Sequence, residues 1–350
     1  MDNKILTISV AAYNADKYLD TCLSSFLACT NLDKLDVIVV DDGSTDNTAK
    51  LTNEFVSKAP DSIRLISKEN GGHGSTINTS IANARGRYYK VVDADDWVDP
   101  AALDKLVDYL STHDLDVAIN PYVEEHESDG SKNSIGIDAI LPDYDCPRAQ
   151  VLQFDALASA LQLFMHTLTF KTGIVQAMPR IDEHCFYVDV EYVVYPIEYL
   201  STAVVFDDAV YHYRLGTADQ SVNKQNLEAR IGQHEHVLFV LSAYLENHVL
   251  SEEISAAKKK LAVRRVAQMA NTNYMIYLRM ESEAEASKIL QFDSRLQTYP
   301  DVYSACTNPV YYEKKRLINY LLPRLRKRDF GNLRAVRRLL RAWDALKNNQ

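Results

Sequence analysis

The sequence has few cysteines, no long apolar run and a deficit of positive charge, and each shortage narrows the possibilities. Five cysteines in 350 residues, at positions 22, 29, 146, 185 and 306, form no CxxC pair and no zinc spacing. A disulfide scaffold and a zinc ribbon are thereby excluded, and reduced thiols packed as small hydrophobes are expected. No stretch approaches the roughly 18 uninterrupted apolar residues of a membrane span. The opening segment MDNKILTISVAAYN has no basic region ahead of its apolar residues and reads as a strand. These features predict a cytoplasmic protein that is neither secreted nor membrane-spanning. A net charge of -10 argues against a nucleic-acid partner. The remaining composition, 47% hydrophobic and 25% charged with 11 glycines and 10 prolines, is that of an ordinary globular chain.

The net charge is an average over two unlike regions. Residues 314–350 hold twelve Lys or Arg against two Asp, whereas residues 1–313 carry a balance of -20. Within the basic segment, Val336, Leu339, Leu340, Trp343 and Leu346 recur at helical spacing beside Arg334, Arg337, Arg338 and Arg341. A basic amphipathic helix with a Trp suits an anionic membrane surface. Packing of its apolar stripe against the acidic body is the alternative.

The first 120 residues alternate strand and helix. Ile5–Val10, Leu35–Val40, Ile63–Ser67, Tyr88–Val92 and Val117–Asn120 read as strands. Helical spacing separates them, as in Leu19, Cys22, Leu23, Phe26 and Leu27. Pro100 sits at a helix N1 position, with Asp99 before it as the cap. The pattern predicts an α/β fold with a mostly parallel sheet and helices on both faces, with ligands at the carboxyl ends of the strands. Further on, Asp189–Leu200 reads as a helix broken at Pro196, and Val204–Phe206 and Val210–Tyr213 as strands around an Asp207-Asp208 turn. From about Asn226 the chain reads as all-helical. We therefore expect a first domain over 1–222 and a helical region over 223–350.

Polar clusters follow the strands where a ligand is expected. DADDW, Asp93 to Trp97, puts three carboxylates into four residues. A hard divalent cation, Mg2+ or Mn2+, neutralises such a group and bridges it to a diphosphate; an acidic helix-capping turn is the plainer reading. VVDDGSTDNT, Val39 to Thr48, offers carboxylates to a base or ribose, or simply a capped turn. ENGGHGSTINTS, Glu69 to Ser80, places glycines ahead of a helix, where the backbone can approach phosphate; its spacing is that of neither a P-loop nor GxGxxG. In FYVDVEY, Phe186 to Tyr192, Asp189 and Glu191 lie about 200° apart on a helix, so only one faces a pocket as a general base.

Taken in order, these segments, with TISVAAYN before them and YHYRLGTADQSVN after, resemble the family 2 nucleotide-sugar glycosyltransferases over roughly Thr7 to Val222. The resemblance implies a GT-A type Rossmann-like sheet followed by a helical C-terminal region. It also implies inverting transfer of a sugar from a nucleotide-sugar, with UDP as the expected nucleotide, to a hydroxyl of a glycan or lipid-linked acceptor, assisted by Mn2+ or Mg2+. On this basis Tyr13 lies against the nucleobase and Asp42 hydrogen-bonds it, with Asp41 beside it. Asn70 and Gly71 belong to the donor-binding loop. Asp93 and Asp95 form the DxD pair for ribose and metal-bound diphosphate, with Asp96 as a further metal ligand. Asp189 matches the catalytic aspartate, with Glu191 as the alternative. His212, Arg214 and Gln220-Ser221 are candidates for metal, diphosphate or acceptor, and His212 is taken with Asp95 and Asp96 as the metal set. Ala12 stands where the family usually has Pro, and Val188 where it often has Glu. No QxxRW motif follows, so a processive synthase is not expected. A non-catalytic nucleotide-binding scaffold of the same fold is the competing reading.

Overall fold

The computed structural model describes residues 4–216, 224–250, 253–279 and 283–307. The basic segment 314–350 and Gln220-Ser221 lie outside them. The backbone divides into two compact units, residues 1–223 with 255–261, and residues 224–254 with 262–350.

The first unit opens as the apolar runs predict. Strands β1 (Leu6–Ala12), β2 (Leu35–Asp41), β3 (Ile63–Ser67) and β4 (Tyr88–Asp93) are parallel in the order β3-β2-β1-β4. Helices α1 (Leu19–Leu27), α2 (Thr48–Lys58) and α3 (His73–Asn83) connect them. β2 is buried along its whole length, which is why it reads as an unbroken apolar run rather than an alternating one. A short β5 (Trp97–Val98) precedes α4 (Pro100–Thr112), whose first turn is capped by Asp99 accepting the Ala102 N–H at 2.8 Å.

The sheet then turns mixed. The chain runs through β6 (Val117–Ile119), β7 (Tyr122–His126), β8 (Lys132–Ile135), α5 (Ile137–Ile140), β9 (Leu152–Gln153), α6 (Phe154–Ala158), β10 (Leu168–Lys171), α7 (Thr172–Ala177), α8 (Asp189–Val194), β11 (Thr202–Val205) and β12 (Tyr211–Leu215). The large sheet has eight strands, β3-β2-β1-β4-β10-β6-β11-β9, with β10 antiparallel to both its neighbours. A second sheet of four strands runs β5-β12-β7-β8. The two strands expected around Asp207-Asp208 do not form a hairpin. β11 pairs with β6 in the large sheet, and β12 pairs with β7 and β5 in the small one. Helix α8 ends before Pro196, which opens a 3-10 turn over Tyr195–Tyr199; the missing N–H of proline accounts for the break.

The helices α9 (Lys224–Ala229), α10 (Ile231–Tyr244), α11 (Ala256–Arg279), α12 (Glu283–Leu296) and α13 (Pro300–Thr307) follow, and they belong to the second unit except for α11 up to residue 261. The core of that unit joins Phe239, Tyr274 and Phe292 by ring contacts, and buried Asp293 accepts the Tyr274 hydroxyl at 2.9 Å. No helix among the described residues is long and apolar enough to cross a membrane.

Candidate functional site

Parallel register brings the polar clusters together. Ala12 lies beside Asp41, and Ala11 beside Asp93. The strands therefore end at one level, and Tyr13, Asp42 and Asp93 emerge from the same edge. Tyr13 is 55% exposed, an aromatic ring left for something other than the core. The turn behind it is fixed by Asn14, left-handed at φ 49°, whose side chain accepts the Thr45 N–H at 2.8 Å.

Asp41 and Asp42 are both buried. Asp41 accepts the Ser44 N–H at 3.0 Å and closes the strand-to-helix turn. Asp42 receives Lys68 Nζ at 2.8 Å, the Gly71 N–H at 2.9 Å and the Gly72 N–H at 2.8 Å. Asn70 donates to the Asp42 carbonyl at 3.0 Å. Asp42, expected to hydrogen-bond a nucleobase, thus already receives three donors from the loop. Its carboxylate is 2% exposed as a residue and already engaged by the loop it was expected to work beside. A β-carbon on Gly71 would lie 2.5 Å from Ser75 Oγ, and one on Gly74 2.0 Å from the Asp182 carbonyl. Only glycine allows the loop to pack on the segment leading to α8, where the His184 N–H donates to the Gly71 carbonyl at 2.5 Å.

The DADDW turn divides its carboxylates. Asp93 and Asp95 are half-buried and Asp96 is buried. Burial raises the Asp93 carboxyl, with Asp189 adding to the rise and His73, 3.4 Å away, opposing it. Burial and the neighbouring Asp93 push Asp95 up to about 6. Burial and both other acids push Asp96 well above its ordinary value. Asp96 faces inward, where one oxygen accepts the Tyr211 hydroxyl and the other the Arg214 N–H at 2.7 Å. The Tyr211 hydroxyl also accepts the Asp93 N–H at 3.2 Å. β12 therefore latches the acidic turn.

His212 and Arg214 point to the other face of β12. His212 pairs with Glu125 at 2.7 Å and stacks on Trp97 at 5.3 Å. Arg214 Nε donates to the Asp95 carbonyl at 2.7 Å, and its guanidinium also reaches Glu127 at 3.1 Å. The guanidinium lies over the rings of Trp97 and Tyr18. Among the described residues no group of three His, Cys, Asp or Glu side chains is arranged to hold a metal ion. The members of the expected set, Asp95, Asp96 and His212, face different partners. Asp96 is turned into the latch and His212 onto Glu125, which leaves Asp95 with Asp93 beside it.

The two acids of α8 sit in opposite surroundings. Glu191 is wholly buried; one oxygen accepts the Asp182 N–H at 2.8 Å, the other has no partner among the described residues, and burial pushes its pKa up to about 8. Asp189 is half-buried, and its charge is felt at Asp93. Sequence reasoning passed over Tyr211, because a tyrosine in a strand reads as core. It also passed over Lys90, wholly buried in β4, where its ammonium donates to the His166 carbonyl at 2.7 Å and burial lowers its pKa to about 7.

Residues 7–152 match the family described as Glycosyl transferase family 2. The glycosyltransferase GlyA of Streptococcus pneumoniae serotype 4 is 35% identical over 130 residues, which are 37% of this chain and 18% of that protein. The chondroitin synthase of Escherichia coli is 38% identical over 104 residues, 30% of this chain and 15% of that one. The chain thus spans less than a fifth of the length of either relative. Among solved structures, S. aureus TarS 1-349 in complex with UDP-GlcNAc has a TM-score of 0.66 at 16% identity, covering 97% of this chain and 92% of that one. The mannosyltransferase PcManGT from Pyrobaculum calidifontis, in complex with GDP-Man and Mn2+, has a TM-score of 0.50 at 16% identity, covering 86% and 84%. The fold is therefore the GT-A type, a mixed sheet with flanking helices and a helical C-terminal region. The family match is confined to residues 7–152, less than half of the chain.

Proposed function

We propose that the protein is an inverting glycosyltransferase that moves a sugar from a UDP-sugar to a hydroxyl of a glycan or lipid-linked acceptor. What supports this reading is that Tyr13, Asp42 and Asp93 leave the parallel strands at one edge, with Asp189 among the charges that raise the Asp93 carboxyl. A base candidate and a donor-binding pair then share one site. The relative named chondroitin synthase and the TarS complex with UDP-GlcNAc support a glycan product and a UDP donor.

Each residue has work suited to its surroundings. Tyr13 offers an exposed ring to the nucleobase, while Asp42 holds Asn70, Gly71 and Gly72 in the conformation that frames it. Asp41 fixes the adjoining turn. Asp93 serves the ribose, and Arg214 brings positive charge beside Asp95, towards the diphosphate. Half-buried Asp189 accepts the proton of the acceptor hydroxyl. The acceptor oxygen bonds to the anomeric carbon from the face opposite the diphosphate. The bond from that carbon to the phosphate oxygen breaks, its electron pair leaves with UDP, and the configuration inverts.

The acids fit a divalent cation. Burial and Asp93 together make a charged Asp95 unfavourable, and Mn2+ or Mg2+ typically takes only one or two carboxylates, with phosphate oxygens completing its shell. Asp95, with Asp93 beside it, would hold the ion. When bound, the cation stabilises negative charge on the departing diphosphate.

A thermal-shift screen of nucleotide sugars with and without Mn2+ tests the reading. A UDP-sugar that raises Tm only with the cation, and is then turned over, is the expected result. Stabilisation without any turnover or hydrolysis would instead establish a nucleotide-binding scaffold.

A further inference from the structure

Exposed aromatic rings are few among the described residues, and two of them flank segments that lead to or pack against α8, which begins at Asp189. Phe164 is 37% and Phe186 42% exposed. Phe186 lies three residues ahead of Asp189, in a loop held left-handed at His184 (φ 54°) and Tyr187 (φ 69°). Non-glycine residues in that region carry strain, which the surrounding packing must sustain. Phe164 opens the short turn Met165–Thr167, which packs against α8, β4 and β12. Phe164 and His166 stack at 5.7 Å and 14°, and His166 and Tyr213 at 5.4 Å and 18°. The column runs from an exposed ring down to Tyr213, whose hydroxyl is pushed upward in pKa by burial and by Asp96, Asp93, Asp95 and Asp189. At its centre, His166 Nε2 is buried with no hydrogen-bond partner among the described residues.

We propose that Phe164, backed by His166 and Tyr213, and Phe186 form the seat of the acceptor, and that the occupant is a neutral pyranose ring. This rests on the glycosyltransferase reading above and adds the chemical class of the acceptor. A pyranose has one face of C–H bonds, weakly positive and apolar, which suits the negative face of an aromatic ring. Its hydroxyls lie around the rim, where Asp189 can receive a proton. Four carboxyl groups at the foot of the column make an anionic sugar unfavourable there. One ring heads a column that ends at Tyr213, among the charges of Asp93 and Asp189, and the other lies three residues ahead of Asp189; this selects an acceptor over an unrelated partner.

Saturation-transfer NMR on the full chain, with UDP and Mn2+ present, tests the proposal. The probes are methyl β-glucopyranoside, methyl β-galactopyranoside, methyl β-glucuronide and octyl β-glucoside. A neutral methyl glycoside should receive saturation on its ring C–H protons, more strongly than the glucuronide. Phe164→Ala and Phe186→Ala should each weaken it about tenfold, the scale of a lost aromatic contact. Phe164→Tyr should retain it, and the UDP signal, unchanged in all variants, reports an intact fold. An undiminished glycoside signal in both alanine variants overturns the proposal. So does a response confined to octyl β-glucoside, which would assign the rings to a lipid chain. A glycoside signal that is lost in Phe164→Ala, in a protein that does not bind UDP, supports the seat and refutes the donor reading.

Discussion

At the scale of single residues, Asp189 and Glu191 differ by surroundings rather than by chemistry. Asp189→Asn removes the proposed proton acceptor and leaves Asp93 and Asp95 alone. Sugar transfer should fall by at least about a hundredfold, the lower range for a general base, with UDP affinity unchanged by calorimetry. Glu191→Gln should leave transfer largely intact, because at neutral pH the buried carboxyl is already protonated and its amide can still accept the Asp182 N–H. The pH dependence follows from the same shift. Glu191 titrates ordinarily at 4.5 and at about 8 when folded. Between those values the native protein holds a proton that the unfolded chain has released. This contribution to stability is full below about pH 4.5 and is lost as pH rises towards 8. Urea unfolding across that range should show a declining midpoint in the wild type and a shallower decline in Glu191→Gln.

Among the elements, β12 is the latch of the site, and the start of α3 with the loop before it packs on the segment leading to α8. Tyr211→Phe deletes the hydroxyl that joins Asp96 to the Asp93 N–H. A loss of about 1–3 kcal/mol in unfolding free energy is expected for leaving such buried groups unpaired, together with weaker cation-dependent UDP binding. Gly74→Ala would press a β-carbon into the Asp182 carbonyl. Overpacking of this kind costs about 1–3 kcal/mol, and the displaced segment leads into Asp189, so transfer should drop along with Tm. These two links also mark the limit of what the sequence makes legible. β1, β2 and β4 could be read because parallel strands buried on both faces are rich in β-branched and aromatic residues. The small sheet could not: β7 (YVEEH) and β8 (KNSI) are polar and mostly half-buried or exposed, and β12 finds its neighbours across long sequence separations. The acids of DADDW are visible as a cluster, but only the fold turns Asp96 towards Tyr211, 115 residues away. Periodicity separates Asp189 from Glu191 without saying which side is buried.

At the scale of the whole molecule, charge decides how the donor can arrive. Residues 1–313 carry a balance of -20, and the site itself is lined by acids, so a nucleoside diphosphate meets repulsion unless a cation accompanies it. Chelation of divalent ions should therefore weaken UDP binding by about tenfold or more, a modest outcome for one unneutralised contact in a partly buried site. The central claim is that Asp93 and Asp95 bind the donor while Asp189, in the same site, serves the acceptor. Calorimetric titration of UDP in the presence of Mn2+, on wild type, Asp95→Ala and Asp189→Asn, tests it most directly. Lost affinity in Asp95→Ala and wild-type affinity in Asp189→Asn are expected. Equal affinity in all three, or equal loss in both variants, would contradict it.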